Sequence, residues 1–342
     1  MSVRTAIVGP TGYTGLFLIE ILLRHPGVKI TYLASQRDEL PNIAEEFPRL
    51  VGRCEMMCRP IDAAAIAKEA DAVFCCLPHV ASMRYVPQLL DAGLRVIDLS
   101  ADYRLRDADL YESVYGHAHE DRENNESAVY GLPEFFGEQI ADANLVANPG
   151  CYPTAAALGI APLLQNSLVK PDGIVINAAS GVTGAGRSPK PNLHFPEANE
   201  SYTAYGVGTH RHQPEIDQTL STVRGQPVEV LFAAHLLPID RGILETIYMD
   251  PIDDQVTEDD LFTAFENAYA DQPFVRVSAD FPNVKNVRDT NFCDVTVRLT
   301  GPDDSRKVVV ISAEDNMIKG ASGQAVQNMN LMFSQESTDG LL

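Results

Sequence analysis

The beginning of the chain decides the fold, because VRTAIVGPTGYTGLFLIEILL (Val3–Leu23) reads as a buried strand, a glycine-rich turn and a helix. Glycines spaced G-x-x-G-x-x-G permit a tight turn and the close approach of a pyrophosphate to the helix N-terminus. The position between a strand and a helix makes this pattern informative, although a plain strand-to-helix turn is the alternative. The sequence predicts a nucleotide-binding turn formed by Gly9, Thr11, Gly12, Tyr13, Thr14 and Gly15.

The second predicted strand, Val28–Ala34, ends where dinucleotide-binding folds contact the ribose of the nucleotide. NAD enzymes usually offer an acidic residue there, whereas an arginine accommodates the 2′-phosphate of NADP. This chain has Ser35 and Arg37, followed by Asp38. The position therefore favours NADP(H), with an arginine of a surface loop as the alternative.

Strands and helices alternate further along the first half of the chain. Strands are predicted at Ala72–Cys76 and Leu94–Asp98, each after a helical pattern, at Asp62–Glu69 and Ala81–Ala92. This alternation predicts an α/β fold with a Rossmann-type, doubly wound parallel sheet.

A short polar segment, Leu77, Pro78 and His79, follows the third strand, where ligand crevices form at the carboxyl ends of parallel strands. His79 is a candidate to line a nicotinamide pocket, and a structural histidine is the alternative.

The second half of the chain has a different pattern. Long β-rich runs begin at Ile174 and are interrupted by one helical pattern, Thr257–Ala270. They predict an α+β domain with a largely antiparallel sheet. We expect a nucleotide-binding domain at residues 1–148, completed by a C-terminal helix at 316–342, and a catalytic and oligomerisation domain at 149–315.

Length and charge limit the classes of function. The 342 residues predict two domains, and 26 Lys and Arg against 47 Asp and Glu give a net charge of −21. This charge argues against a broad surface for nucleic acid or anionic membranes. No apolar run approaches the roughly 18 residues of a membrane span, and no targeting segment is visible. We expect a cytoplasmic protein whose six cysteines are reduced.

One cysteine lies in a turn that suits a nucleophile. The stretch Asn148–Thr154 reads NPGCYPT, so Cys151 follows a strand-like segment and precedes an apolar helix. The positive end of a helix favours a thiolate over a thiol, and its free N–H groups can hold an oxyanion. A half-buried structural cysteine is the alternative. The shaped turn favours the nucleophile.

Two further segments can bind an anionic group. The glycine-rich loop Ser180–Ser188 carries Arg187 and can surround an anion with N–H groups and a guanidinium. A flexible surface loop is the alternative. Arg241 follows a buried strand and suits a carboxylate or a phosphate.

Histidines alternate in the segment His210–Glu215, just before a helix. Histidine suits acid–base catalysis near neutral pH, and Glu215 can orient a neighbouring ring. Whether His210 or His212 acts cannot be decided from their spacing. Metal chelation is the alternative, but no third ligand has a recognisable spacing. We therefore predict no metal.

The closing segment, Asp315–Met329, is rich in small residues. We expect its helix to fold back on the nucleotide-binding domain, with its glycines close to a cofactor.

Together these segments resemble the N-acetyl-γ-glutamyl-phosphate reductases, which are relatives of aspartate-semialdehyde dehydrogenase. The resemblance runs from end to end, and the NPGCYPT block is its most specific part. The acidic stretch Glu120–Ser127 departs from it. The matching segments are Gly9–Gly15, Leu77–His79, Asp98–Arg104, Tyr130–Glu134, Asn148–Thr154, Ser180–Arg187, His210–Glu215 and Lys319–Met329.

This resemblance implies an NADP(H)-dependent enzyme of arginine biosynthesis that forms a homodimer or homotetramer and acts on a small acyl phosphate, releasing phosphate. Cys151 would form a thioester, with His210 or His212 and Glu215 moving protons. Further cofactor contacts would come from Gly184 and Asn316, and substrate contacts from Ser100, Arg104, Asn148, Ser180, Arg187 and Arg241.

The alternatives are a reductase of carrier-protein-linked aminoadipyl phosphate in lysine biosynthesis, which the net charge disfavours, aspartate-semialdehyde dehydrogenase, and a non-catalytic NADP-binding sensor.

Overall fold

The structure, a computed structural model, describes residues 2–302 and 304–342. It divides into two units, one formed by Met1–Pro149 with Ala321–Leu342 and the other by Gly150–Gly320. The chain returns from the second unit to the first after Gly320, whereas the sequence analysis expects this return after residue 315. Asn316 therefore belongs to the second unit.

The first unit contains a six-stranded parallel sheet with the order β2-β1-β3-β4-β6-β5. From β1 the chain forms β2 on one side, and it then crosses back to form β3 on the other side of β1. The carboxyl ends of β1 and β3 therefore lie at a topological switch point. The two-residue strand β5 is too short for any pattern to predict. The strands are β1 Val3–Val8, β2 Val28–Ala34, β3 Ala72–Cys75, β4 Arg95–Asp98, β5 Val129–Tyr130 and β6 Leu145–Ala147.

Helices connect these strands, and one of them differs from its prediction. The pattern at Ala81–Ala92 forms a 3₁₀ turn, Ser82–Arg84, and then a separate short helix. Pro87 lies at the start of that helix, where its missing N–H does no harm, but it could not continue a helix from upstream. The helices are α1 Tyr13–Leu22, α2 Ile43–Glu46, α3 Ala63–Glu69, α4 Val86–Asp91, α5 Ala108–Tyr115, α6 Arg122–Ser127 and α7 Pro133–Asp142, with a 3₁₀ turn at Pro48–Leu50.

The second unit contains a seven-stranded sheet with the order β11-β12-β13-β10-β7-β9-β8. The pairs β11-β12 and β7-β9 are parallel and the other four neighbouring pairs are antiparallel, so the sheet is mixed and mostly antiparallel. The strands are β7 Ile174–Ser180, β8 Thr203–Tyr205, β9 Val230–Leu236, β10 Ile243–Met249, β11 Val275–Val277, β12 Cys293–Thr300 and β13 Lys307–Glu314.

One long helix of this unit, Cys151–Gln165, is buried from Tyr152 to Leu164 and packs on the sheet. A Cβ placed on Gly159 would lie 2.9 Å from Ile247 Cδ1, so the helix backbone lies directly against β10. The helices of the unit are α8 Cys151–Gln165, α9 Phe195–Ala198, α10 Gln213–Arg224, α11 Glu258–Tyr269 and α12 Val284–Val287, with 3₁₀ turns at Val182–Ala185 and Pro191–Leu193.

The chain then returns to the first unit through a π-helical turn, Ile318–Ser322, followed by helix α13, Gly323–Met332. Within that unit α13 packs against α1 and α7. The predicted helix over 316–342 is therefore too long. It begins late because the Asp315 side chain accepts the Met317 N–H in a turn, and Ser334 ends it with a φ of +52°.

In the part of the chain that the structure describes, no helix has both the length and the apolar composition that crossing a bilayer requires.

Candidate active site

The glycine turn after β1 has the backbone that the sequence predicts. Gly9 has a φ of +84°, and a Cβ there would collide with the carbonyl oxygen of Cys76. A Cβ on Gly15 would lie 2.6 Å from Pro10 Cα, so this glycine allows the turn to close.

Gly12 is the N-cap of α1, and its position fits a phosphate. No side chain caps this helix end, and a Cβ on Gly12 would have no heavy atom within 4 Å. Tyr13 is the first helical residue and Thr11 precedes the cap. With no side chain on the N-cap itself, this helix end suits a pyrophosphate, which would accept the N–H groups of the first turn.

The residues after β2 have mutual contacts. Ser35 is buried, and its Oγ accepts the N–H of Arg37 at 3.2 Å. The half-exposed guanidinium of Arg37 pairs with Glu46, Nη1 to Oε2 at 2.6 Å. This ion pair holds Arg37 at the end of β2, where the contact with a 2′-phosphate is predicted.

The segment after β3 lies beside the glycine turn. Leu77 is buried, and its Cδ2 would lie 3.3 Å from a Cβ on Gly9. Pro78 and His79 are exposed, and His79 Nδ1 accepts the N–H of Ala101 at 3.1 Å. The turns after β1 and β3 therefore border the switch point of the sheet.

Three predicted substrate ligands make contacts inside the first unit. Ser100 Oγ donates to Asp98 at 2.6 Å. Arg104 is buried and donates from Nε to the carbonyl of Asn148 at 2.8 Å. The Asn148 side chain donates to the carbonyl of Ala321 at 3.1 Å. These buried contacts brace the unit, and the role of the three residues in binding substrate stays a prediction.

Cys151 is the first residue of α8, with Gly150 as its N-cap, and it is half-buried. The N-cap is a glycine and so offers no side chain of its own to this helix end, and no acidic residue lies in the first turn of α8. The buried carboxylate of Glu215 accepts the N–H of Gly150 at 2.8 Å. Glu215 thus fixes the turn of the cysteine, a contact that its predicted role beside a histidine did not include.

Gly320, the last residue of the second unit, packs closely against Cys151. A Cβ on Gly320 would lie 2.6 Å from Cys151 Cβ and 2.7 Å from Glu314 Oε1. We expected the glycines of this segment to approach a cofactor, but Gly320 approaches the cysteine. The small-residue pattern was a signal of close contact, and it did not identify the neighbour.

The two histidines lie in an aromatic cluster around Tyr152. The ring of Tyr152 lies 5.5 Å from that of His210 and 5.9 Å from that of His212. Burial, with the charge of Arg211, lowers the pKa of His210 to about 4. His210 Nδ1 accepts the N–H of His212, the N-cap of α10, at 3.1 Å. His210 is therefore neutral at neutral pH.

The glycine-rich loop after β7 is held by the segment after β9. Gly181 N–H donates to Gly242 at 3.0 Å, and Thr183 Oγ1 donates to Asp240 at 2.7 Å. Asn316 accepts the N–H of Gly242 and donates to Thr183. Asn316 thus braces this loop, and its contact with the cofactor stays a prediction.

Within that loop, Ser180 Oγ donates to the Gly181 carbonyl, and a Cβ on Gly184 would lie 3.4 Å from Asn316 Nδ2. Arg187 is exposed at the end of the loop.

Arg241 is buried among acidic side chains. Its guanidinium pairs with Asp289, and it lies 3.4 Å from Asp315 and 3.8 Å from Asp240. Burial raises the pKa of Asp315 against the opposing charge of Arg241. A sequence pattern alone does not show such ion-pair partners, and the contact of Arg241 with substrate stays a prediction.

Among residues 2–302 and 304–342, no group of three or more His, Cys, Asp and Glu side chains is arranged to hold a metal ion.

Comparison with protein families agrees with this geometry. Residues 4–143 match the family model of the semialdehyde dehydrogenase NAD binding domain, and residues 151–316 match the semialdehyde dehydrogenase dimerisation domain. The N-acetyl-gamma-glutamyl-phosphate reductase of Rhodopirellula baltica is 46% identical, covering 100% of this chain and 99% of that protein. The enzyme of that name from Geobacter sp. (strain M21) is 47% identical, covering 99% and 97%.

Solved structures show the same fold at low sequence identity. Aspartate semialdehyde dehydrogenase II from Vibrio cholerae, complexed with ASA, has a TM-score of 0.73 and 16% identity, covering 98% of this chain and 99% of that chain. Aspartate semialdehyde dehydrogenase with NADP from Candida albicans has a TM-score of 0.70 and 14% identity, covering 97% and 99%.

The fold and the site define a dinucleotide-binding protein of the semialdehyde dehydrogenase class. Within this class, the full-length identity of 46–47% shows that the chain belongs to the N-acetyl-gamma-glutamyl-phosphate reductase family.

Proposed function

We propose that this protein reduces N-acetyl-γ-glutamyl phosphate to N-acetylglutamate 5-semialdehyde and phosphate with NADPH, as a step of arginine biosynthesis. The name of its full-length relatives supports the substrate. The observation that carries the chemistry is Cys151 as the first residue of helix α8, with its turn fixed by Glu215. A thiolate is a strong nucleophile near neutral pH, and it is favoured at a helix N-terminus.

In the first step, the sulfur of Cys151 forms a bond to the acyl carbon, and the bond from that carbon to the phosphate oxygen breaks. Phosphate leaves with the electron pair, and a thioester remains on the cysteine. The N–H groups of the first turn of α8 hold the negative oxygen of the tetrahedral state, since they have no acceptor within the helix. Serine at this position would be a much weaker nucleophile.

We assign the proton transfers to His212. Burial lowers the pKa of His210 to about 4 and its Nδ1 already accepts a backbone N–H, so His210 is a weak base at neutral pH. His212 lies at the N-cap of α10, three residues before Glu215, which contacts the turn of Cys151. It takes the thiol proton in the first step and protonates the departing sulfur in the second. The loop that ends at Arg187 supplies an exposed guanidinium for the anionic substrate.

In the first unit, Gly9, Gly12 and the N-terminus of α1 would hold the cofactor, with Arg37 and Ser35 at its ribose end. When bound, NADPH supplies a hydride to the thioester carbonyl. The carbon–sulfur bond then breaks and releases the aldehyde.

The second unit has an exposed apolar row that suits pairing with a second copy. Leu231, Val175, Tyr248 and Val309 lie at matching positions on four neighbouring strands. Leu231 is 53% exposed and Tyr248 is 38% exposed. We place the interface of a homodimer, or of each dimer in a homotetramer, on this row, in the cytoplasm of the cell.

The experiment measures phosphate-dependent reduction of NADP⁺ with three aldehydes: N-acetylglutamate semialdehyde, its unacetylated form and aminoadipate semialdehyde. We expect kcat/KM for the acetylated aldehyde to exceed the others by about a hundredfold. The Cys151→Ser variant, with NADPH binding intact, is the control that assigns turnover to this site. Equal or faster turnover of the aminoadipyl compound, or turnover by the control, would overturn the proposal.

A further inference from the structure

Val80 has a backbone conformation that its side chain disfavours. Its φ is +74°, in the left-handed region, where a β-branched residue is a genuine outlier. It follows directly on Pro78 and His79, the segment after β3. Strain of this kind persists only where the surroundings impose it.

The carboxylate of Asp102 imposes this conformation. The residue is fully buried, and its Oδ1 accepts the N–H of Val80 at 2.8 Å, while its Oδ2 accepts the N–H of Ser82 at 3.1 Å. Tyr111 Oη donates to the same Oδ1 at 2.8 Å. The Asp102 carboxylate therefore binds the backbone of the strained turn at two positions, Val80 and Ser82.

Further hydrogen bonds hold Asp102 itself in place. Ser100 Oγ accepts the N–H of Asp102 at 3.0 Å and donates to Asp98 at 2.6 Å. Ser82 Oγ donates to the other oxygen of Asp98 at 2.7 Å. The segment 98–102 and the segment 78–82 thus form one buried network in the first unit.

The network also determines the tautomer of the exposed His79 ring. His79 Nδ1 accepts the N–H of Ala101, the neighbour of Asp102. A neutral ring that accepts at Nδ1 carries its proton on Nε2. The turn therefore presents His79 in one tautomer beside the nucleotide-binding glycines.

We propose that Asp102 is a positioning residue for the dinucleotide, which holds Val80 in the left-handed conformation and thereby fixes the place and the tautomer of His79. The inference rests on the proposed cofactor site but not on the proposed substrate. Asp102 does not contact the reacting atoms. Its effect is on the affinity for the dinucleotide.

The test titrates NADPH into the full-length protein and measures Kd by calorimetry. The Asp102→Asn variant keeps the size of the side chain, but its amide NH₂ group faces one of the two backbone N–H groups and cannot accept a hydrogen bond from it. We expect its Kd to rise at least about tenfold. Glycine adopts a positive φ without strain, so Val80→Gly in the Asp102→Asn background should recover most of the affinity.

Tyr111→Phe is the matched control, because it removes one hydrogen bond to Asp102 and leaves both backbone contacts. Its Kd should stay within about twofold of the wild type. Nitrogen chemical shifts of His79 report the tautomer, which Asp102→Asn should mix and the double variant should restore. Thermal unfolding of each variant separates a loss of fold from a loss of positioning.

A wild-type Kd in Asp102→Asn would overturn the inference. So would a double variant that is folded and binds NADPH as weakly as Asp102→Asn does. These readouts use binding and not turnover, so a failure of the proposed reductase activity would leave them interpretable. A wild type that does not bind NADPH at all would instead refute the cofactor site.

Discussion

At the scale of single residues, the position of Cys151 depends on close neighbours that leave no room for a further side chain. The proposed reactivity of Cys151 depends on its position at a helix end, and that position is held by two close neighbours. Glu215 accepts the N–H of the preceding residue, and Gly320 leaves no room for a side chain. A nucleophile needs this precision, since a misplacement of about 1 Å can cost a hundredfold in rate.

Gly320→Ala tests this restriction. The new Cβ would lie 2.6 Å from Cys151 Cβ, closer than real contacts allow, so the cysteine must move. We expect kcat to fall by about a hundredfold while the Kd for NADPH is unchanged. The measurement is steady-state turnover with a separate NADPH titration.

Gly137→Ala is the matched control, because its Cβ would have its nearest neighbour at 3.9 Å, in a helix. It should turn over as the wild type does. Full activity in Gly320→Ala would show that the cysteine tolerates displacement, and the account of its geometry would fail.

At the scale of elements, the sequence predicts what is periodic and misses what is short or interrupted. The strand, glycine turn and helix at Val3–Leu22 form as expected, because the buried strand and the helix each have the right length and their glycines suit the turn. Strand β8, with three exposed residues, has no pattern to read. The predicted helix at 81–92 breaks at Pro87, whose ring cannot follow a continuous helix.

The site could be predicted only in part for a related reason. Cys151 and the histidines were visible because their residue types and spacing are rare. The partners of Arg104 and Arg241 were not, because an arginine that binds a substrate and one that pairs internally look alike in a sequence. Burial and counter-charges decide between them, and these depend on distant segments such as Asp289.

At the scale of the whole molecule, an acidic chain with a net charge of −21 also buries an acid in its core. Glu245 lies on β10 with none of its surface exposed, and neither carboxylate oxygen has a hydrogen-bond partner within the described structure. Burial raises its pKa well above the ordinary value. The folded protein therefore keeps a proton that the unfolded chain releases.

This proton makes stability depend on pH. As pH rises above about 4.3, the unfolded chain gives up the proton first, so the free energy of unfolding falls until the folded pKa is passed. Glu245→Leu removes this dependence and the unpartnered oxygens. We expect it to raise stability by about 1–3 kcal/mol at pH 8 and by less at pH 5, measured by thermal and urea unfolding.

The exposed Glu266→Leu serves as the control and should change stability little at either pH. An equal gain at both pH values would mean that the folded protein does not retain the proton, and a less stable Glu245→Leu variant would mean that burying the acid is not costly.

The account depends most on the covalent step at Cys151, and mass spectrometry of the protein mixed with N-acetyl-γ-glutamyl phosphate in the absence of NADPH tests it directly. We predict that the peptide containing Cys151 gains the mass of the acyl group and loses it when NADPH is added. An unmodified Cys151 in a preparation that turns over, or an acyl group on another residue, would contradict the account.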